Sequence, residues 1–185
     1  MKSFVIGIRL AIVTIAIVVA AYTAVLLAVA GAIAPQTAQG SLLKNAEGII
    51  VGSSLLAQKF TRPEYFWSRP SAVDYNASAT GGSNKSPTSG DLTDRAAKTV
   101  AAYGATREKP LPAELAAASG GGMDPHITEA GALYQAGRVA QARGMALAEV
   151  EALILRQSFV SGGILASGRL VNVLELNLAL DALKK

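Results

Sequence analysis

The chain has 185 residues, no cysteine, one histidine and a formal charge of +4 from 17 basic and 13 acidic side chains. Without cysteine there is no disulfide framework, no thiol chemistry and no thiolate metal site, and a single histidine excludes a histidine-rich one. All 13 acidic residues follow Pro35, and without Lys2 and Arg9 the remainder carries only +2, so the basic pI is partly a property of the N-terminus and does not indicate nucleic-acid binding.

From Leu10 to Ala34 the chain runs 25 residues without a charge, bounded by Arg9 and Pro35. As a helix rising about 1.5 Å per residue this stretch reaches roughly 37 Å, enough to cross a hydrocarbon core about 30 Å thick with some tilt. In lipid a single pass must be helical, because only a helix satisfies its own backbone groups. Ala28-Val29-Ala30 and Ala32-Ile33-Ala34 look like cleavage sites, but a signal peptide's apolar core is only about 7–15 residues long. A retained anchor is therefore expected. Lys2 and Arg9 precede the span and the next basic residue is Lys44, so the positive-inside rule assigns residues 1–9 to the cytoplasm, 10–34 to the membrane and 35–185 to the exterior. Ala16, Ala20, Ala24, Ala28 and Ala32 recur every four residues along the anchor. Small side chains let membrane helices approach closely, so the stripe reads either as a seam for a partner's helix or as the mark of an alanine-rich chain.

Beyond the anchor, Gln36–Gly40 reads as a linker, and Ile49-Ile50-Val51, between two glycines, as a short buried strand. Phe60–Tyr75 concentrates Phe60, Tyr65, Phe66, Trp67 and Tyr75, interleaved with Arg62-Pro63 and Arg69-Pro70. Each proline keeps its predecessor out of the helical region, so this segment is expected to be rigid and either extended or turning. Aromatics with arginine suit either an interface or the domain's own core with guanidinium groups stacked on the rings. Ser78–Gly90 has loop chemistry around Gly81-Gly82-Ser83-Asn84, whose successive N–H groups could form an anion nest, but it lacks a phosphate-loop signature. Asp91 is expected to cap a helix from Leu92 to Tyr103 that stops at Gly104. Thr128 should cap a helix to Arg143 that ends at Gly144, and Leu147, Val150, Leu153 and Ile154 give a second helix to Gln157. Gly162-Gly163 breaks the chain, Arg169–Leu174 alternates like a strand, and Asn177–Lys184 reads as a last helix with Lys184 and Lys185 at its negative end. The fold class expected is one N-terminal transmembrane helix followed by an extracytoplasmic α+β domain.

Ser119, Asp124 and His126 invite a test for a hydrolase triad. Ser119 lies outside a GxSxG elbow, and Asp124 and His126 flank Pro125, a poor start for triad geometry. His126 reads better as a hydrogen-bonding residue that orients the approach to the following helix. No carboxylate pair or metal cluster emerges, and catalytic, cofactor and metal residues are all expected to be absent.

The ordered motifs resemble a known family. Gly52-Ser53-x-Leu55-x-Ala57-Gln58-x-Phe60 leads to Pro63-x-Tyr65-Phe66-Trp67-x-Arg69-Pro70-Ser71-Ala72. Tyr75, Gly81-Gly82-Ser83-Asn84, Pro87-Thr88 and Ser119-Gly-Gly-Gly-Met-Asp124-Pro125-His126-Ile127 follow. Gln135-x-x-Arg138 through Gly144 and Val171-Asn172-Val173 through Asp181 complete the series. Together they resemble the C subunit of the bacterial potassium-transporting Kdp ATPase, with Gly121 and Met123 where Ser and Leu are expected. The resemblance implies an accessory subunit beside a channel-like A subunit, a P-type ATPase B subunit and a small F peptide. It implies that ATP and potassium are handled by those partners, and that this chain assists assembly and acts as a catalytic chaperone raising the B subunit's ATP affinity. The residues it marks as structural or subunit-contacting are Tyr65, Phe66, Trp67, Arg69, Ser83, Asn84, Asp124, His126 and Arg138. A membrane-tethered extracytoplasmic hydrolase is the alternative.

Overall fold

The computed structural model describes residues 2–162 and 168–183. It separates into two compact units, residues 1–42 and 43–185. The first is one long apolar helix: α1 (Lys2–Ile15), a π-helical stretch (Ala16–Ala21) and α2 (Tyr22–Ile33) follow one another without a break. These 32 residues are long and apolar enough to cross a membrane. At the end of the π stretch Tyr22 N–H donates five residues back to Ile17 O, the wider ladder of a π turn. Ala34 leaves the helical region at φ −139° ahead of Pro35, as pre-proline sterics demand. The expected linker is in fact a short helical turn, α3 (Pro35–Ala38), which Pro35 can open because it has no N–H to waste.

The second unit mixes helices with two small sheets. β1 (Leu42–Lys44) pairs with β2 (Ile50–Ser53). The expected strand at Ile49–Val51 appears one residue later, and its two isoleucines are not buried: Ile49, just before β2, is 62% and Ile50 54% exposed, because a lone two-stranded ribbon has no second layer over these side chains. After the aromatic segment come α4 (Gly90–Ala102) and α5 (Ala113–Ala116). Ser89, rather than Asp91, stands at the N-cap of α4, and Asp91 sits in the first turn, ion-paired with Lys85 and well placed for the helix dipole.

β3 (His126–Thr128) leads directly into α6 (Glu129–Arg143), with α7 (Leu147–Gln157) after it. Thr128 Oγ1 accepts from Gly131 N–H at 3.0 Å, and Gly144 ends α6 at φ +65°, as the capping residues foretold. Glu114 of α5 takes the Thr128 N–H at 2.9 Å and also its hydroxyl, which straps α5 to the start of α6. β4 (Leu170–Asn172) runs antiparallel to β3, with Ile127 opposite Val171. α8 (Val173–Leu183) starts four residues before the expected Asn177. Asn172 Oδ1 accepts from Leu174 N–H (3.1 Å) and Glu175 N–H (3.2 Å), so Asn172 caps the helix and cuts short the strand suggested by Val171 and Val173. Gly163 of the expected chain break, and Lys184 and Lys185 at the end of the last helix, lie outside the described residues.

The core lies among α6, α7, α8 and the β3–β4 pair. Ala132, Ala136, Val139 and Ala140 of α6 meet Val150, Leu153 and Ile154 of α7 and Leu176 and Leu180 of α8. Small residues on α6 let its neighbours come close. Phe66 of the aromatic segment and Leu115 of α5 fill the remaining space, both fully buried.

Candidate functional site

The aromatic segment turns at Arg62–Tyr65, where Tyr65 N–H donates to Arg62 O at 3.2 Å, and then runs on from Phe66 without a strand partner. Its buried backbone groups must still be paired. Two side-chain amides do this. Asn177 of α8 accepts from Phe66 N–H at 2.9 Å and donates to Phe66 O at 3.0 Å. Gln135 of α6 accepts from Trp67 N–H at 2.8 Å and donates to Trp67 O at 3.2 Å. Each amide thus copies the two-way exchange of a β-ladder.

Arginines complete the clasp. Arg138, one turn beyond Gln135, donates through Nη1 to Pro63 O (2.6 Å) and Tyr65 O (3.0 Å) and through Nη2 to Gln135 Oε1 (2.8 Å). Its guanidinium carbon stands 3.8 Å from the Trp67 ring centre. Burial pulls the Arg138 pKa below its usual value, with the nearby Tyr103 working the other way. Arg143 donates to Glu64 O (2.7 Å) and pairs with Asp181 (2.7 Å), whose other oxygen receives the Tyr65 hydroxyl at 3.1 Å. Phe66 is thereby built into the domain's own core, while Tyr65 and Trp67 stay half-buried beneath the guanidinium groups of Arg62, Arg138 and Arg143.

A second cluster joins the far end of this segment to the glycine-rich loops. Arg69 Nη1 reaches Asp124 Oδ2 at 3.3 Å, and its other nitrogens point at Ala117 O and Ala118 O, both 3.4 Å away. Asp124 Oδ1 faces His126 Nδ1 at 3.1 Å and accepts from His126 N–H at 3.0 Å. Loop meets loop through Gly81 N–H to Gly121 O (3.0 Å) and Ser71 Oγ to Gly122 O (2.6 Å). Gly122 sits at φ +71°, and a Cβ there would lie 2.7 Å from Val73 Cγ2, so the close approach requires glycine. Ser83 is half-buried in this loop; Asn84 is exposed and left-handed at φ +48°. Gly81 N–H is spent on Gly121, so the expected anion nest loses a donor at its start.

This arrangement does not assemble a triad. Asp124 orients His126, but no hydrogen bond joins Ser119 to His126 among the described residues, and Ser119 is buried with its N–H on Pro70 O at 3.3 Å. The Asp124 carboxyl lies below the ordinary carboxylate range, first because the His126 side chain bonds it, against an opposing push from burial. A carboxylate with a depressed pKa stabilises the fold above its unfolded value of about 3.9 and loses that contribution as pH falls through the folded value. Asp124→Asn should therefore unfold at lower urea than wild type at pH 7, with the gap closing below about pH 4. A gap of constant size into the acid range would refute this role.

The family model described as K+-transporting ATPase, c chain (KdpC) matches residues 4–182. The chain belongs to the KdpC family. A potassium-transporting ATPase KdpC subunit from Parvibaculum lavamentivorans is 64% identical over 181 residues, covering 98% of this chain and 97% of its own length. KdpC subunits from Paraburkholderia phytofirmans (46% identical, 89% of this chain and 88% of its own) and Shewanella putrefaciens (41%, 98% and 92%) are similar too. In this KdpC chain, Tyr65, Phe66, Trp67 and Arg138 converge on one clasp, while Arg69, Asp124 and His126 form the second cluster. Gln135, Arg143, Asn177 and Asp181, absent from the expected site residues, turn out to hold the clasp. Their helical spacings, Gln135 to Arg138 and Asn177 to Asp181, were the available signal. Ala16, Ala20, Ala24, Ala28 and Ala32 are all exposed on the long helix.

Proposed function

We propose that this chain is the non-catalytic accessory subunit of a potassium-transporting ATPase. It is anchored by its N-terminal helix in the bacterial inner membrane, with residues 1–9 in the cytoplasm and the α+β domain outside. It stabilises the assembly of the channel-like A subunit, the P-type ATPase B subunit and the small F subunit. Potassium and ATP are handled by those partners, and any rise in the B subunit's ATP affinity is indirect, because the domain lies on the other side of the membrane from the nucleotide. The alanine seam docks a partner helix, and the aromatic clasp gives the outer domain a rigid surface. The observation that carries this reading is KdpC membership over residues 4–182 in a chain with one long apolar helix at its basic N-terminus. Protease added to intact spheroplasts is expected to digest the C-terminal domain. Digestion only after the cells are lysed would overturn the topology and reopen a direct action on nucleotide.

A further inference from the structure

The ribbon β1–β2 begins where the apolar unit ends, and its two faces differ. Exposure alternates along it: Leu43, Asn45 and Val51 are half-buried, whereas Leu42, Lys44 and Ile50 are exposed. Asn45 and Val51 line a cleft with Leu174 and Leu178 of α8, so that face belongs to the domain. Ile49 and Leu55, which flank β2, are exposed as well. Glu47 is the one acidic residue of the ribbon.

Chain length keeps this ribbon near the membrane. Only seven residues separate Ala34, the last of the uncharged run, from Leu42, and they are not slack. Ser41 N–H donates to Gln36 O at 2.9 Å and Gly40 N–H to Thr37 O at 3.0 Å, the paired bonds of a Schellman motif closing α3. Fully extended, this stretch would reach at most about 29 Å, and its helical residues advance only about 1.5 Å each. β1 therefore starts close to the headgroup layer, which carries a bilayer about 5–8 Å beyond its hydrocarbon on each side. The chemistry of the outward face selects lipid over protein. Protein interfaces favour Trp, Tyr, Phe, Met and Arg and are poor in Lys. Leu42, Ile49, Ile50 and Leu55 are all aliphatic, and the charge among them is Lys44. Aliphatic side chains sink into the boundary between headgroups and acyl chains, where a lysine lays its stem on the apolar surface and keeps its ammonium among the phosphates. We propose that the outward face of the β1–β2 ribbon rests in the headgroup layer of the leaflet from which the anchor emerges, a second and interfacial hold on the bilayer. This rests on the membrane anchor proposed above, and not on its orientation.

The chain has no cysteine, so a single introduced one can be labelled uniquely. The full chain is reconstituted in phosphatidylcholine vesicles with a polarity-sensitive fluorophore on Ile50→Cys, on Leu155→Cys at a similarly exposed position of α7, or on Leu26→Cys within the anchor. Lipid spin-labelled near its headgroup is expected to lower the emission at position 50 about two-fold or more. Position 155 should stay close to its unquenched level with that lipid and be quenched by iodide supplied on both sides of the membrane. The same pattern should hold for the chain within the assembled pump. Equal lipid quenching at positions 50 and 155, or quenching of position 50 by iodide alone, overturns the inference. Protection of position 50 from both quenchers once the other subunits are present also overturns it, because a protein then covers the ribbon. Each of these leaves the anchor standing. Lipid spin-labelled deep in its acyl chains should quench Leu26→Cys; if it does not, the anchor reading fails and the inference with it.

Discussion

Replacing Asn177 with leucine is expected to destabilise the folded chain by about 2–6 kcal/mol, because it strands the N–H and C=O of Phe66 at about 1–3 kcal/mol each. Leucine keeps the same branched shape and is larger than asparagine, so the loss does not come from a cavity. The penalty applies in full because Phe66 is wholly buried and water cannot replace the amide. Gln135→Leu should cost less, since the Trp67 backbone it serves is only part-buried. The readout is built in: Trp67 is the single tryptophan of the chain and the residue next to Phe66. Its fluorescence during urea unfolding of the detergent-solubilised chain follows the clasp directly. An Asn177→Leu midpoint equal to wild type would mean that the aromatic segment is held by packing alone.

The same clasp shows which parts of the molecule were legible from the residues. α6 was readable at both ends because Thr128 and Gly144 are local signals, acting within three or four positions of themselves. β3 was not, since three residues carry no periodicity and their pairing with β4 lies more than forty positions away. Val171 and Val173 alternate like a strand, yet the Asn172 side chain turns the second valine into the first residue of α8; a capping residue inside an apolar run outweighs the alternation. Gln135, Arg138, Asn177 and Asp181 stood at helical spacing in plain view. Nothing local tells that their target is the backbone of Tyr65–Trp67, because Asn177 meets Phe66 across 111 positions of chain. The richness of Phe60–Tyr75 in rings and arginines was evident, but whether the rings faced inward or toward a partner depended on these distant amides.

Leucine at Ala24 or Ala28 is expected to release the chain from the detergent-purified pump, lowering its recovery about ten-fold or more. Overpacking a tight contact costs about 1–3 kcal/mol, and 1.4 kcal/mol corresponds to a factor of ten. The π-helical stretch strengthens the case for a single seam. In an α-helix four residues turn about 400°, so a four-residue repeat drifts about 40° per step and the five alanines would smear over about 160°. In a π-helix of about 4.4 residues per turn the same step falls short of a full turn by roughly 33°. Ala16 and Ala20 lie inside that stretch, so their step runs backward and the five alanines fit within about 120°. About a third of the helix surface is then lined with side chains small enough for backbone-to-backbone approach. Leu26→Phe adds bulk on the far side of Ala24 and should leave recovery unchanged, which separates a blocked seam from a helix that merely inserts poorly. If Ala24→Leu and Ala28→Leu co-purify as wild type does, the stripe is only the imprint of an alanine-rich chain, and the assembly contacts must be carried by the outer domain.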